Sequence, residues 1–303
     1  MKELKKIAIA LVGFCVCFLV LDFGVGKFFD WAIKQMPSEG ERVAKSEYVL
    51  NKVDADFLVI GSSRAEAHYD SKIIQDSFPE YSVYNCGVDG QMFYYSTAAF
   101  NSLIERHTPK VVVWDFQVKD LVDESPENLS LLYPYYRSKK DVKSELDIID
   151  PSLKYVLWCN CYRYNGSASR ILRALNMHEK NNLGYKPLPV VKQEIPVLND
   201  MTFNKPIIKD KVELLSLALQ KAKDKGIHVY LCISPYYVDL KENHPTVVKL
   251  QELADKYGHT FLNLSQMEEL KWNDAMWYDG AHLNSDGATL FTKKLISLIS
   301  QKK

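Results

Sequence analysis

Short apolar runs separated by longer amphipathic stretches constrain this chain most strongly. Asp56-Phe-Leu-Val-Ile60 stops at Gly61, Tyr81-Ser-Val-Tyr84 stops at Asn85-Cys86-Gly87, and Lys110-Val-Val-Val-Trp-Asp-Phe116 follows Pro109. Between them, Asp70–Phe78 and Met92–His107 carry helix-like patterns. Runs this short and apolar suit strands buried on both faces, and strand–helix alternation requires parallel pairing through crossover helices. The pattern resumes with a helix over Lys209–Gly226, a strand at Ile227–Ile233 stopped by Ser234-Pro235, and a helix from Pro245 to Tyr257. A strand at Thr260–Leu264 and a closing helix at Asn284–Ile299 complete it. The expected fold class is α/β, a three-layer α/β/α arrangement around a parallel sheet.

Residues 118–206 interrupt the alternation with clustered tyrosines, several prolines and weak periodicity. They are expected to form a partly helical insertion over the carboxyl ends of the strands. The amino terminus differs again: Lys2, Lys5 and Lys6 precede Ile7–Leu21, a stretch of 15 residues without a charge. A spanning helix wants about 20. With Asp22 near the interface, the span continues through Val25. No small-x-small cleavage site lies near Asp22–Lys27. Residues 1–30 are therefore read as an uncleaved signal-anchor transmembrane helix, 31–53 as a connector and 54–303 as one folded domain. A cleaved signal and a buried helix are the alternatives. Lysines ahead of the apolar run place that end in the cytoplasm, with a single pass through the inner membrane and the folded domain outside it.

Lys+Arg and Asp+Glu total 38 each, a formal net charge of zero. That balance argues against nucleic-acid binding through a basic surface. It favours a neutral or weakly charged ligand held in a local cleft. With 47% hydrophobic and 25% charged residues, the chain is not of the disordered class. Six cysteines are too few and too scattered for a disulfide scaffold. Cys86 and Cys232 read as inert buried thiols, and a bridge within Cys159-Asn-Cys161 would be strained. No ligand cluster suggests a metal or cofactor.

In open parallel sheets, function gathers at the carboxyl ends of strands. There Gly61-Ser62-Ser63-Arg64 offers a tight turn, a hydroxyl and the free N–H groups of a following helix. Trp277-Tyr-Asp279-Gly-Ala-His282 places a carboxylate three positions before an imidazole, just ahead of the last helix. A serine nucleophile needs an imidazole to take its proton, and the imidazole needs a carboxylate to orient it. Each motif alone also suits turns and caps. His68 is expected on a helix face, and the Tyr133–Arg137 and Tyr162–Tyr164 clusters suit either ring stacking or plain packing.

Together the motifs resemble the SGNH (GDSL-like) hydrolase and acyltransferase superfamily over about residues 54–117 and 207–300. Gly61-Ser62-Ser63 is similar to the family's first block with Ser62 replacing Asp, and Asp279-x-x-His282 to its last. Asn85-Cys-Gly87-Val-Asp-Gly90 is similar to the second. The resemblance implies an SGNH/flavodoxin-like fold and a triad of Ser63, His282 and Asp279. It also implies an oxyanion hole from the Ser63 and Gly90 amides, with Gly87 second to Gly90. The third block departs: Val113-Trp-Asp-Phe-Gln117 lacks the usual Asn, so Gln117 is the substitute donor, since an ionised Asp115 would oppose oxyanion charge. Arg64 is a weak candidate for substrate contact.

The implied chemistry is ester hydrolysis or O-acyl transfer through an acyl-serine, without a cofactor. The anchor resembles the membrane-tethered branch, which includes alginate acetylation proteins and the D-alanyl transfer protein of teichoic acid. That likeness implies an extracytoplasmic acylated carbohydrate or polysaccharide as substrate, and a membrane-bound acyl-donor protein as a further partner. The alternative is a non-catalytic SGNH-like module that binds glycans or scaffolds a cell-envelope assembly.

Overall fold

The computed structural model describes residues 1–178, 181–191, 194–195, 204–238, 240–241 and 243–301. Helices α1 (Lys2–Ala32) and α2 (Arg42–Asn51) come first. Then follow β1 (Phe57–Ile60), α3 (Ser63–His68), α4 (Ser71–Ser77), β2 (Val83–Asn85), α5 (Phe93–Arg106) and β3 (Val111–Asp115). Four short helices come next: α6 (Lys140–Ile149), α7 (Leu153–Val156), α8 (Asn160–Asn165) and α9 (Ala168–Ala174). The chain closes with α10 (Lys209–Asp224), β4 (His228–Ile233), α11 (Pro245–Tyr257), β5 (Thr260–Asn263) and α12 (Ser285–Ser300). It divides into two compact units, Met1–Glu47 with Ser130–Glu179, and Tyr48–Leu129 with Lys180–Lys303. The segment 118–206 is thus shared between units, and the connector region 31–53 carries the whole of α2.

In the second unit all five strands pair in parallel, in the order β2-β1-β3-β4-β5. The pleat sorts the side chains. Phe57 and Val59 of β1, Val111 and Val113 of β3, and Tyr230 and Cys232 of β4 alternate onto one face. There they pack with Tyr69, Ile74, Phe291 and Leu295 from the α3, α4 and α12 side. Trp114, at a position of the opposite parity, packs at a tilt against Phe100 of α5, ring centres 4.8 Å apart. Helices α3 and α4 pack with α12, and α5 and α11 with α10, giving the three-layer α/β/α architecture. The strand order reverses direction between β1 and β3, the switch point where such sheets open a crevice at their carboxyl ends.

Helix α3 begins at Ser63 itself, directly after the Gly61–Ser62 turn, and carries His68 as its last residue. The cause is local: Ser62 caps α3 by accepting from Arg64 N at 3.3 Å. Gly61 makes the turn possible, with φ of 149°. A Cβ there would lie 2.8 Å from Ala65 Cβ and 2.9 Å from the Asp115 carbonyl oxygen. Asp70 then caps α4 through Lys72 N and Ile73 N, so one stretch of chain turns into two short helices.

In the first unit, α1 is long and apolar enough to cross a membrane. Its Asp22 carboxylate accepts from Asn160 N at 3.0 Å, Asn160 Nδ2 at 2.9 Å and Cys161 N at 2.7 Å. One turn further on, Gly26 leaves room for the same asparagine; a Cβ there would fall 2.5 Å from Asn160 Cγ. Asp30 pairs with Arg163 at 3.2 Å and accepts from Tyr164 Oη, and Phe29 stacks on Tyr164 at 5.0 Å. Residues 159–164 are thereby fastened along the last three turns of α1.

Candidate active site

Strand β1 ends at the switch point and delivers Ser63 to the first position of α3. Its Oγ lies 2.8 Å from His282 Nε2. On the other edge of the imidazole, Nδ1 is 3.0 Å from both Asp279 carboxylate oxygens. Facing a carboxylate, Nδ1 carries the proton, which leaves the Nε2 lone pair for the Ser63 hydroxyl. Burial opposes ionisation of Asp279. The Ala281 N–H, the imidazole and the His282 N–H outweigh it and hold the carboxyl below its usual range. The two N–H donors contact Oδ1 at 2.8 Å each, so one side chain shapes the loop and orients the ring.

The loop is locked from both ends. Trp277 is fully buried, donates Nε1–H to the Leu270 carbonyl at 2.8 Å and bridges to Leu283 as an antiparallel pair. Tyr278 N donates to the His282 carbonyl at 2.9 Å. Asn284 caps α12 through Asp286 N and Gly287 N at 3.0 Å each and donates Nδ2–H to Ala275 O at 2.7 Å. Gly287 must lack a side chain, since a Cβ would sit 2.2 Å from the Met276 carbonyl oxygen.

Arg64 does not face substrate. It is 1% exposed, against the reading of Arg64 as a candidate for substrate contact. Nη1 donates to the Ala281 carbonyl at 2.8 Å, and Nη2 to Ser234 O, Ser234 Oγ and Pro235 O at 2.7–2.9 Å. The guanidinium lies 3.8 Å from the centre of the Tyr236 ring. A desolvated cation needs such acceptors, and the carbonyls at the end of β4 supply them. His68, four positions on and so on the same face of α3, is fully buried as well. Its Nε2 accepts from Leu283 N at 3.1 Å, which places the proton on Nδ1, 3.1 Å from Ser234 Oγ. Asp115 Oδ1 accepts from Ser234 N at 3.1 Å and Tyr69 Oη at 2.7 Å. Thus the helix that carries Ser63 holds the two residues flanking His282, through side chains tied to β3 and β4.

Burial, then the charges of Arg64 and His282, keep the His68 pKa well below its ordinary 6.5. The unfolded chain therefore takes up a proton near that pH that the folded chain refuses. Stability is fully present above about pH 6.5 and falls below it by up to about 1.4 kcal/mol per pH unit. His68→Gln can keep an acceptor toward Leu283 and a donor toward Ser234 without titrating. Denaturant midpoints measured one unit above and one unit below pH 6.5 should separate less for His68→Gln than for wild type; equal separation contradicts this role.

A cavity of about 140 Å³ opens over Ser63 and His282, walled by Glu66, Ala67, Asp89, Lys186, Leu188 and Tyr278. Gly90 and Gln117 are not in this wall. Gly90 is exposed with φ of 71°, next to the lining Asp89. Gln117 Nε2 donates to Ser62 Oγ at 3.0 Å, one residue away from the expected oxyanion position. The Gly87 amide is taken by Asn85 Oδ1 at 2.9 Å. Asn85 in turn donates to the Ala65 and Tyr69 carbonyls at 2.7 and 3.0 Å, fixing the end of α3.

Lys186 and Leu188 belong to a strap that shows no helix or strand period. Asn85 N donates to Leu183 O at 2.8 Å, Lys186 N to Glu66 O at 2.9 Å and Ser285 N to Leu188 O at 2.9 Å. The signal that could have found it is Lys186-Pro187-Leu188-Pro189, since residues before proline are driven to extended backbone.

No protein-family model matches the chain, and no curated protein does. Among solved structures it is similar to the psychrotrophic esterase EstA from Pseudoalteromonas sp., at 12% identity and TM-score 0.41, over 81% of this chain and 96% of that one. It is also similar to a lipase/acylhydrolase from Enterococcus faecalis, at 11% identity and TM-score 0.38, over 81% and 95%.

Proposed function

We propose that this chain cleaves or transfers ester-linked acyl groups through an acyl-Ser63 intermediate. The observation that carries the reading is the 2.8 Å contact of Ser63 Oγ with His282 Nε2, on an imidazole whose other nitrogen faces Asp279 at 3.0 Å. His282 takes the Ser63 proton as Oγ attacks the ester carbonyl. The carbonyl oxygen becomes an oxyanion beside the Ser63 amide, which as a first-turn helical N–H has no partner within α3. Gly90, next to the lining Asp89, is the second donor, and Gln117 a further one, each on small movement. Collapse breaks the ester C–O bond, and His282 returns its proton to the leaving alcohol. An incoming hydroxyl, of water or of an acceptor, then gives its proton to His282 and attacks acyl-Ser63. A product acid or a new ester leaves, and Ser63 is restored.

A cavity of about 140 Å³ suits a short acyl group such as acetyl. An apolar amino-terminal helix supports a substrate at the outer side of the inner membrane, an acylated carbohydrate or polysaccharide supplied by a membrane-bound donor. In the Ser63→Ala chain, acetyl release and acetyl transfer should both vanish. With wild type, an acetyl ester supplied with and without a glycan hydroxyl acceptor separates the two fates. New glycan ester formed at the expense of free acetate assigns transfer; unchanged acetate release with abundant acceptor assigns hydrolysis. Neither product from a folded wild type contradicts the proposal and favours the non-catalytic glycan-binding reading.

A further inference from the structure

We propose that residues 155–162 form a second membrane contact, in which Tyr155, Trp158 and Tyr162 lie in the headgroup region of the bilayer that α1 crosses. This rests on α1 being a spanning helix. The uncharged stretch Ile7–Leu21 of 15 residues rises about 22 Å, short of the roughly 30 Å hydrocarbon core. Continuing to Gly26, just before Lys27, supplies the missing length but takes Asp22 to the edge of the core. An unsatisfied carboxylate there is costly. In this structure Asp22 is only 7% exposed, covered by Asn160 and by the Cys159 thiol and Cys161 amide. The segment that covers Asp22 therefore sits at the depth where the apolar run ends. What it turns outward at that depth must meet lipid.

Its outward side chains have the chemistry of that layer. Trp158 is 65% exposed, Tyr155 73% and Tyr162 43%, and Phe23 and Trp31 of α1 are also exposed. Tryptophan and tyrosine concentrate at membrane–water interfaces because each ring has an apolar body and a polar edge. A cation accompanies two of the rings, Arg137 Cζ at 5.1 Å from Trp158 and Lys154 Nζ at 4.9 Å from Tyr155, both suited to lipid phosphate. The Arg137 guanidinium also donates to the Trp158 carbonyl. Elsewhere on a soluble surface, three such large exposed aromatics within eight residues would be an aggregation liability.

The full chain reconstituted in phosphatidylethanolamine–phosphatidylglycerol vesicles, with part of the lipid brominated near the glycerol end of the chains, tests this by tryptophan quenching. Trp158→Phe should about halve the quenched emission, because Trp158 and Trp31 are the tryptophans of this unit. Adding Tyr155→Trp to that variant should restore it. Trp272→Phe, an exposed tryptophan of the sheet unit, should leave it unchanged. Quenching that is indifferent to Trp158→Phe and not raised by Tyr155→Trp overturns the proposal. An alkaline carbonate wash of the same vesicles separates the two failures. If the chain stays with the lipid while Trp158 is unquenched, only the second contact falls; if the chain washes off, the spanning helix falls with it.

Discussion

Asp279→Asn is expected to lower kcat on a short acyl ester by about 10⁴-fold, the loss seen when a triad imidazole is held in the wrong tautomer. An asparagine amide can present N–H to His282 Nδ1 in place of a lone pair, which drives the proton onto Nε2, where Ser63 Oγ needs an acceptor. Substrate binding need not change, so KM should stay close to wild type. Asp279 has a second task, since its Oδ1 accepts from Ala281 N and His282 N at 2.8 Å, and the Asn oxygen can keep those bonds. Asp279→Ala loses both tasks. A kcat for Asp279→Asn within tenfold of wild type would show that Asp279 does not set the His282 tautomer.

The second large effect is expected at residues that never meet substrate. Arg64→Lys replaces a planar fork by a point charge that cannot reach Ala281 O, Ser234 and Pro235 together. The Ala281 side of the His282 loop is then released. A displacement of about 1 Å at a reacting group costs on the order of 10²-fold in rate, so kcat should fall by that much with KM little changed. Arg64→Met goes further and removes both the donors to these acceptors and the nearby cation that favours an ionised Asp115 against its burial, so stability should fall as well. His68→Leu should show the same kcat loss as Arg64→Lys, and His68→Gln should recover it. Rescue by Gln together with an unmoved KM distinguishes positioning from a general loss of fold. If kcat and stability fall in proportion and Gln rescues neither, these residues are merely core.

Much of the sheet was legible because burial on both faces leaves a mark within each strand. Phe57–Ile60 and Val111–Asp115 are wholly buried and were apparent as apolar runs. β2 was displaced, expected at Tyr81–Tyr84 and found at Val83–Asn85, because pairing of Asn85 with Val59 sets its end. That pairing is a long-range property that composition does not carry. Ser63, Asp279 and His282 stood out since a strand-end serine and an Asp-x-x-His turn are local patterns. The positioning roles of Arg64 and His68 did not, because their partners lie 166 to 217 positions away. A six-residue helix with Ser, Arg, Glu and His among its residues looks solvent-facing until β4 and the His282 loop close over it. The strap at Leu183–Leu188 escaped notice for the same reason, its hydrogen bonds running to Asn85, Glu66 and Ser285 rather than along itself.

Covalent labelling of the full chain by a fluorophosphonate tests the central assignment most directly, because only a hydroxyl activated by a neighbouring base attacks it at a useful rate. The expected result is phosphonylation at Ser63 in wild type, none in Ser63→Ala, and strongly slowed labelling in Asp279→Asn. A folded wild type that does not label, or a Ser63→Ala chain that labels as fast as wild type, would contradict a nucleophilic Ser63.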